Sequence, residues 1–182
     1  MTVRYDEEAM FPSISTLFSR DLCLDEGTYQ RFTNRLAEGS ISRDENPTSH
    51  FGVFFLPYNP KTKTVFITHH KKAGTWIPPG GHVDLGEHPS ETFVREIGEE
   101  LGADTSKIVP PDPFFFSIFE LTNPNRICKI HFDIWYLFKT DGVDFHVDPS
   151  EFHETRWVSF PEARKLVTET DVFQAFDRVE RM

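Results

Sequence analysis

The sequence predicts an α+β fold, a sandwich of helices packed on a mixed β-sheet and preceded by a short helical extension. Three observations carry this. Runs rich in β-branched and aromatic residues at 51–56, 64–68, 114–121 and 127–138 read as strands. One amphipathic helix interrupts them, and two further helical stretches close the chain. The order strands, helix, strands, helix is not the regular alternation of a doubly wound sheet. A chain of 182 residues suits one compact domain with an extension, because at this size roughly 70% of the unfolded surface can be buried.

The elements follow in order. Phe11, Ile14, Leu17 and Phe18 recur at helical spacing, as do Tyr29, Phe32, Leu36 and Ile41, with a break near Asp25-Glu26-Gly27. Residues 1–46 are therefore expected to form two short helices packed on a main domain of 47–182, since about 45 residues bury little by themselves. Asn46-Pro47-Thr48 marks the boundary, and Pro57–Lys63 joins the first two strands. Pro89-Ser90-Glu91 opens a helix: proline is tolerated in the first turn, and early acids suit its positive end. Phe93, Val94, Ile97 and Leu101 line one face, and Gly102 stops it. The runs at 114–121 and 127–138 form a hairpin around Asn123–Arg126, Thr155–Val158 is a short strand, and 161–167 and 172–179 are helices.

Charge and cysteine content narrow the function. Nineteen Lys and Arg against 29 Asp and Glu give a net charge of −10. Binding to a long nucleic acid needs clustered cations, so that class is disfavoured. An anionic substrate would need a local positive charge from elsewhere, and a divalent metal is the obvious source. Cys23 and Cys128 have no CxxC spacing and are too few for a disulfide framework. No apolar run approaches the ~20 residues that span a bilayer, and the first residues lack a signal peptide's apolar core. The expectation is a reduced, soluble, cytoplasmic protein without a membrane partner.

The chemistry concentrates between Gly74 and Gly102, which hold six of the ten glycines. Glu96, Glu99 and Glu100 stand at i, i+3 and i+4, sharing one helix face near the end where the macrodipole disfavours anions. A solvated charged face usually interleaves cations, yet no Lys or Arg lies between Arg95 and Lys107. A hard divalent cation docked on the triad explains it. Pro79-Gly80-Gly81 permits a tight turn that aims a carbonyl, such as that of Gly80, at the same ion. Arg95 has two partners open to it, Glu99 at i+4 or Glu87 across the loop, and either pins a carboxylate.

Gly81, five residues, Glu87, seven residues, then Arg95-Glu96-Ile97-x-Glu99-Glu100-x-Gly102 closely resembles the Nudix box, GX5EX7REUXEEXGU. The box spans Gly81–Ala103, where Ala103 replaces the larger aliphatic residue usual in the family. The strand pair before it and the Trp157-containing tail extend the resemblance over roughly 48–170. It implies an α/β/α sandwich with a mixed sheet. It also implies a pyrophosphohydrolase that uses Mg²⁺ or Mn²⁺ and water to cleave the diphosphate linkage of a nucleoside diphosphate joined to a further moiety. Carried over by position, Glu99 and Glu100 are the principal metal ligands, Glu96 is a ligand or general base, and Gly80 offers its carbonyl. Glu87 and Arg95 orient these groups. Some members recruit a further glutamate before the late tryptophan; Glu151 fits that place best, with Glu154 the alternative. A homodimer is compatible with the family, and the partner is a small nucleotide derivative.

Five residues are candidates for substrate contact, and of these only His82 lies inside the box. Period-two alternation puts His131 on one strand face with Asp133 and Trp135, so His131 and His82 are candidates for phosphate contact, with hydrogen-bonded strand residues as the alternative. Trp76 is a candidate for stacking a base, or else a packing residue. Arg126 and Lys71 are candidates for phosphate, or else solvated loop charges. His69 and His70 read as strand-end residues. Two other functions share the pattern. A sensing module that binds without cleaving usually lacks box carboxylates, all of which are present. Isopentenyl-diphosphate isomerase resembles the Gly81-His82 and Gly86-Glu87 pairs, but Gly80 stands where its catalytic cysteine belongs.

Overall fold

The computed structural model describes residues 14–182. Phe11, assigned above to the first helix, lies outside them. In chain order the elements are helices α1 (Ile14–Leu17) and α2 (Glu26–Ala37), with one 3-10 turn at Arg20–Leu22 between them. Strands β1 (Ser49–Asn59), β2 (Thr64–His70), β3 (Thr75–Ile77) and β4 (Gly80–His82) follow, then helix α3 (Pro89–Leu101). Strands β5 (Phe115–Glu120), β6 (Ile130–Lys139) and β7 (Phe152–Ser159) lead into α4 (Phe160–Leu166) and α5 (Thr170–Glu180).

The sheet is mixed. β1 runs parallel to β6 from Ser49 opposite Ile130 to Tyr58 opposite Lys139, and β6 pairs antiparallel with β5. On its other edge β1 meets β2 only at Tyr58↔Val65 and Asn59↔Thr64. The two strands then part, and the chain returns through the opening: β3 pairs with β2, and β4 pairs with β1 at residues 52–54. Pro57 stands at the fork, where a residue without an N–H costs no ladder bond. Phe55 is the last residue before it to donate toward this edge, to the carbonyl of Pro79 at 3.0 Å. β3 and β4 are three residues each and flank Pro78-Pro79, so neither shows a periodicity that sequence can reveal.

The core divides between the two faces of the sheet, which makes the α/β/α sandwich. Phe51, Val53, Phe55, Phe132, Ile134 and Tyr136 alternate onto one face and pack on Phe93, Ile97 and Leu101 of α3. Leu56, Val65, Ile67 and Trp135 face the other way, onto α4 and α5. α2 joins the first cluster: its fully buried Phe32 lies edge-on to the rings of Phe51, Phe116 and Phe132. Arg35, also on α2, donates to the Ser49 carbonyl at 2.7 Å and ties that helix to the start of β1. Cys23 and Cys128 are both free thiols.

Several strands differ from expectation: β1 covers 49–59 rather than 51–56, β2 runs on to His70, and β3 and β4 are additional. β6 begins at residue 130 rather than 127, because the N–H groups of Lys129 and Ile130 both turn to the Thr48 carbonyl before the ladder starts. Ile127 is left exposed. β7 covers eight residues rather than four; its outer half carries the exposed His153 and Glu154, so no apolar alternation marked it.

Phe32→Ala removes a ring in ring contact with four phenylalanines, and should cost about 3–5 kcal/mol. Urea unfolding should still show one transition at a lower midpoint. An unchanged midpoint would mean that α2 does not share this core.

Candidate active site

Helix α3 is fixed at both ends. The His88 side chain accepts from the Ser90 N–H, and Glu91 reaches back to the His88 N–H at 2.7 Å, with Pro89 in the first turn. Gly102 closes the helix at φ 58°, a left-handed conformation, and a side chain there would strike the carbonyl oxygen of His146 at 2.3 Å. The segment arriving at this end satisfies the last helix carbonyls: His146 donates to Leu101 at 2.6 Å and Asp148 to Glu100 at 3.4 Å. Glu151 lies three residues further on.

The apolar stripe of α3 faces the sheet, so the three glutamates turn toward the opening between β1 and β2. Glu96 and Glu100 are buried, at 7% and 5% exposure, whereas the Glu99 side chain is 61% exposed. The Glu96 carboxylate lies directly over Gly81: a Cβ there would sit 1.8 Å from Glu96 Oε1. Glycine at 81 is thus required by space as well as by the turn. Glu100 Oε2 accepts from the Gly80 N–H at 2.7 Å. This bond ties the Gly80 backbone to the acidic face of α3.

Arg95 meets all of its candidate partners at once. It gives a two-pronged bond to Glu87, Nε to Oε1 at 2.9 Å and Nη2 to Oε2 at 3.1 Å. Nη1 reaches Glu96 Oε1 at 2.7 Å and Glu99 Oε2 at 2.9 Å, and Nη2 also binds the His82 carbonyl at 3.0 Å. Burial alone would raise the Glu87 pKa, but bonds from Arg95, Thr92 and the Asp84 N–H outweigh it and leave it low. Burial wins at Glu96, whose pKa is raised despite Arg95. It wins by more at Glu100, where the neighbouring Glu96 adds like-charge repulsion and only the Gly80 N–H opposes.

These donors fit a hard divalent ion. The set is all oxygen, and its buried members carry more negative charge than the one guanidinium compensates. Glu151 belongs with them: its carboxylate, one from Glu100 and a nitrogen of His70 lie within 4.8 Å of one another. The backbone helps, since Lys71 N–H donates to the Glu151 carbonyl at 2.9 Å. Glu154 instead pairs with Arg156 at 2.6 Å on the outer strand.

The carboxylates form one wall of a cleft of about 390 Å³. Arg43, Lys72 and Arg126 supply positive charge to its other walls, and His82 and His131 line it as well. Both imidazoles are held neutral, His82 pushed down to about 3 and His131 to about 4, chiefly by burial. They offer hydrogen bonds and lone pairs rather than charge. A second hollow of about 330 Å³, floored by Val172 and Phe119, continues from the first past Phe54, Ile77 and Arg126. Trp76 lines neither hollow. Alternation on β3 turns Ile77 inward, and Trp76 stacks on His69 at 5.3 Å under the Arg156 guanidinium. Lys71 binds the Pro149 carbonyl at 2.6 Å, leaving Lys72 to face the cleft.

Residues not singled out from sequence also reach the site. His70, read as a strand end, touches Glu151. Asp133 is fully buried at the cleft wall, with no hydrogen-bond partner for either oxygen among the described residues. Burial and then Asp171 push its pKa well above the carboxylate range. A charged residue in the middle of the apolar run 130–138 was the available signal.

A model of the NUDIX domain matches residues 48–177. The chain belongs to the Nudix family. Among curated relatives, the asymmetrical bis(5'-nucleosyl)-tetraphosphatase of Rattus norvegicus is 32% identical over 94 residues, 50% of this chain and 60% of that protein. Nudix hydrolase 6 of Arabidopsis thaliana is 26% identical over 145 residues, 75% of this chain and 48% of its own length. The chain therefore spans only about half to three fifths of these two relatives. The RNA pyrophosphohydrolase of Rickettsia africae is 26% identical over 135 residues, 63% of this chain and 83% of that one. Among solved structures, the MutT protein of Methanosarcina mazei Go1 superposes with a TM-score of 0.60 at 26% identity, covering 74% of this chain and 97% of that one. The E. coli dihydroneopterin triphosphate pyrophosphohydrolase does so at 0.61 and 19%, covering 70% and 92%, which is a likeness of fold. The Nudix match leaves α1 and α2 outside it. Among the described residues no helix is long and apolar enough to cross a membrane.

Asp171, in the first turn of α5, gives this site a pH test. Burial pushes its carboxyl up to about 6, from an ordinary value near 3.9. The folded state then holds the proton more tightly, so its stabilising effect is complete below about 3.9 and is lost as pH rises through about 6. Asp171→Asn should flatten the fall of Tm over that window and melt higher than the parent at neutral pH. Superimposable Tm–pH curves would place the titration elsewhere.

Proposed function

We propose that this chain is a divalent-metal-dependent Nudix pyrophosphohydrolase that cleaves the diphosphate linkage of a small nucleotide derivative with water. The observation that carries the reading is the crowding of buried Glu96 and Glu100 against Gly80, Gly81 and Glu151, with Arg95 bonded to Glu96 of that pair. Relatives named as a bis(5'-nucleosyl)-tetraphosphatase and an RNA pyrophosphohydrolase act on phosphoanhydrides, which supports the reaction class.

Glu96, Glu99, Glu100 and Glu151 would hold Mg²⁺ or Mn²⁺. When bound there, the metal supplies charge neutralisation at the phosphoryl oxygens and acidifies water. Arg95 does not touch substrate; it holds Glu87, Glu96 and Glu99 in fixed geometry. Arg43, Lys72 and Arg126 draw the polyphosphate onto the opposite wall, so a net charge of −10 does not repel it locally. Glu151 takes the proton of the attacking water. Its carboxylate faces the cleft beside His70, while Glu96 Oε1 and Glu99 Oε2 are already engaged by Arg95. The second hollow, with apolar Phe119 and Val172, accepts the nucleoside or the group beyond the diphosphate.

The test is a panel of nucleotide sugars, dinucleoside polyphosphates, oxidised nucleoside triphosphates and ADP-ribose-like compounds, scored for phosphate or nucleotide release with and without chelator. Glu100→Gln should keep Tm near the parent's while kcat falls by about 10²-fold or more. Parent-like turnover would remove Glu100 from the machinery. Glu151→Gln should lower kcat by about 10²–10⁴-fold. Gly81→Ala, which displaces the Glu96 carboxylate, should also depress kcat. Ligand binding without turnover across the panel would favour a sensing module instead.

A further inference from the structure

We propose that His50, His131 and Cys128, with His82 on the fourth side, form a second metal site that takes a borderline-soft divalent ion of the zinc class. It is separate from the carboxylate site and its donors are nitrogen and sulfur, not oxygen.

Strand register assembles it. His50 lies opposite His131 across the parallel β1–β6 pair, and His82 enters from β4, opposite Gly52. The three imidazoles crowd together on one face, His50 to His82 at 4.7 Å between centroids and each to His131 at 5.0 Å. Cys128, just ahead of β6, puts its sulfur 3.6 Å from His50 Nε2. Ligand atoms of His50, Cys128 and His131 all lie within 4.8 Å of one another.

Two of the separations match edges of a small tetrahedron. With metal–nitrogen bonds of about 2.0–2.1 Å and metal–sulfur bonds of about 2.3 Å, tetrahedral ligands stand about 3.4 Å apart for two nitrogens and about 3.6 Å for nitrogen and sulfur. The observed separations are 3.4 Å for His82 Nε2 to His131 Nε2 and 3.6 Å for His50 Nε2 to Cys128 Sγ.

The tautomer of His50 agrees. Its Nδ1 stands 3.1 Å from the Asn46 carbonyl oxygen, which can only accept. Nδ1 therefore carries the proton and Nε2 presents its lone pair toward Cys128. A ligating histidine fixed by an outer carbonyl has this arrangement. His50 is also fully buried, and a polar ring with no access to water needs a partner at each nitrogen. Arg43 approaches His82 Nδ1 at 3.5 Å, but its side chain is exposed and free to swing aside. An ion bound here would clasp β4 to β6 across β1, directly beneath the cleft.

The test uses the whole purified chain in excess Mg²⁺, which keeps the carboxylate site occupied. Elemental analysis after dialysis against zinc should find one tightly held ion per chain. Cobalt substitution should give a near-ultraviolet sulfur-to-metal band together with tetrahedral visible bands. Cys128→Ser should abolish the near-ultraviolet band and weaken zinc binding by about 100-fold, while Glu99→Gln and Glu100→Gln should leave both intact. His50→Ala should do the same as Cys128→Ser if it folds; the half-buried, near-isosteric serine variant decides the matter if it does not. No retained zinc, no thiolate band, or zinc lost only with the box glutamates would overturn the proposal. The last of these would leave four hydrogen-bonded polar residues and no bearing on hydrolysis.

Discussion

β1 and β2 share two rungs, Tyr58↔Val65 and Asn59↔Thr64, before they separate, and the backbone groups exposed by that parting have to be paired. β4 pairs them on β1 and β3 on β2, so the Pro78-Pro79 turn is wedged into the sheet rather than laid on its surface. The wedge brings Gly80 and Gly81 under α3. Without a side chain at 81 the Glu96 carboxylate can descend onto backbone, whereas a side chain at 80 would strike the Val53 carbonyl of β1. A fully paired hairpin would have filled this space with ladder bonds and left the same helix with a solvated acidic face.

Two electrostatic regimes then coexist within one turn of helix. Around Glu87, hydrogen bonds overcome desolvation and the carboxylate stays readily ionised. Around Glu96 and Glu100 desolvation prevails even though Arg95 binds one of them. One guanidinium thus stabilises the periphery and undercompensates the centre. Such a centre is costly to fold alone and recovers that cost when it gains positive charge. Further along the sheet, burial likewise favours the uncharged forms of His131 and Asp133.

Legibility in the sequence followed locality. The span, caps and acidic face of α3 were readable because a helix repeats within four residues, and the box added spacing that no other element of the chain has. α4 and α5 agreed for the same reason. Glu151 could be ranked above Glu154 by its distance from Trp157, but only the contact with Glu100 separates the two physically. Elements defined by pairing were hidden: β3 and β4 are too short to show a period, and the polar outer half of β7 conceals its length. His50 was invisible because its neighbours depend on which residue of β6 lies across from it, and register is not written in either strand alone. Trp76 failed as a cleft residue for a related reason, since one step along β3 exchanges it with Ile77.

The segment from Gly142 to Glu151 leans on the end of α3, giving His146 and Asp148 N–H groups to the carbonyls of Leu101 and Glu100. That attachment divides the loop into two stretches with different tolerance of length change. Residues added near Val143, which is 79% exposed, would bulge into water and leave the anchor in place. A single residue added between Asp148 and Glu151 would shift the carboxylate by one backbone step, about 3.3–3.6 Å, and detach it from His70. Divergent chains of this fold should therefore vary in size before the anchor and keep a constant count after it.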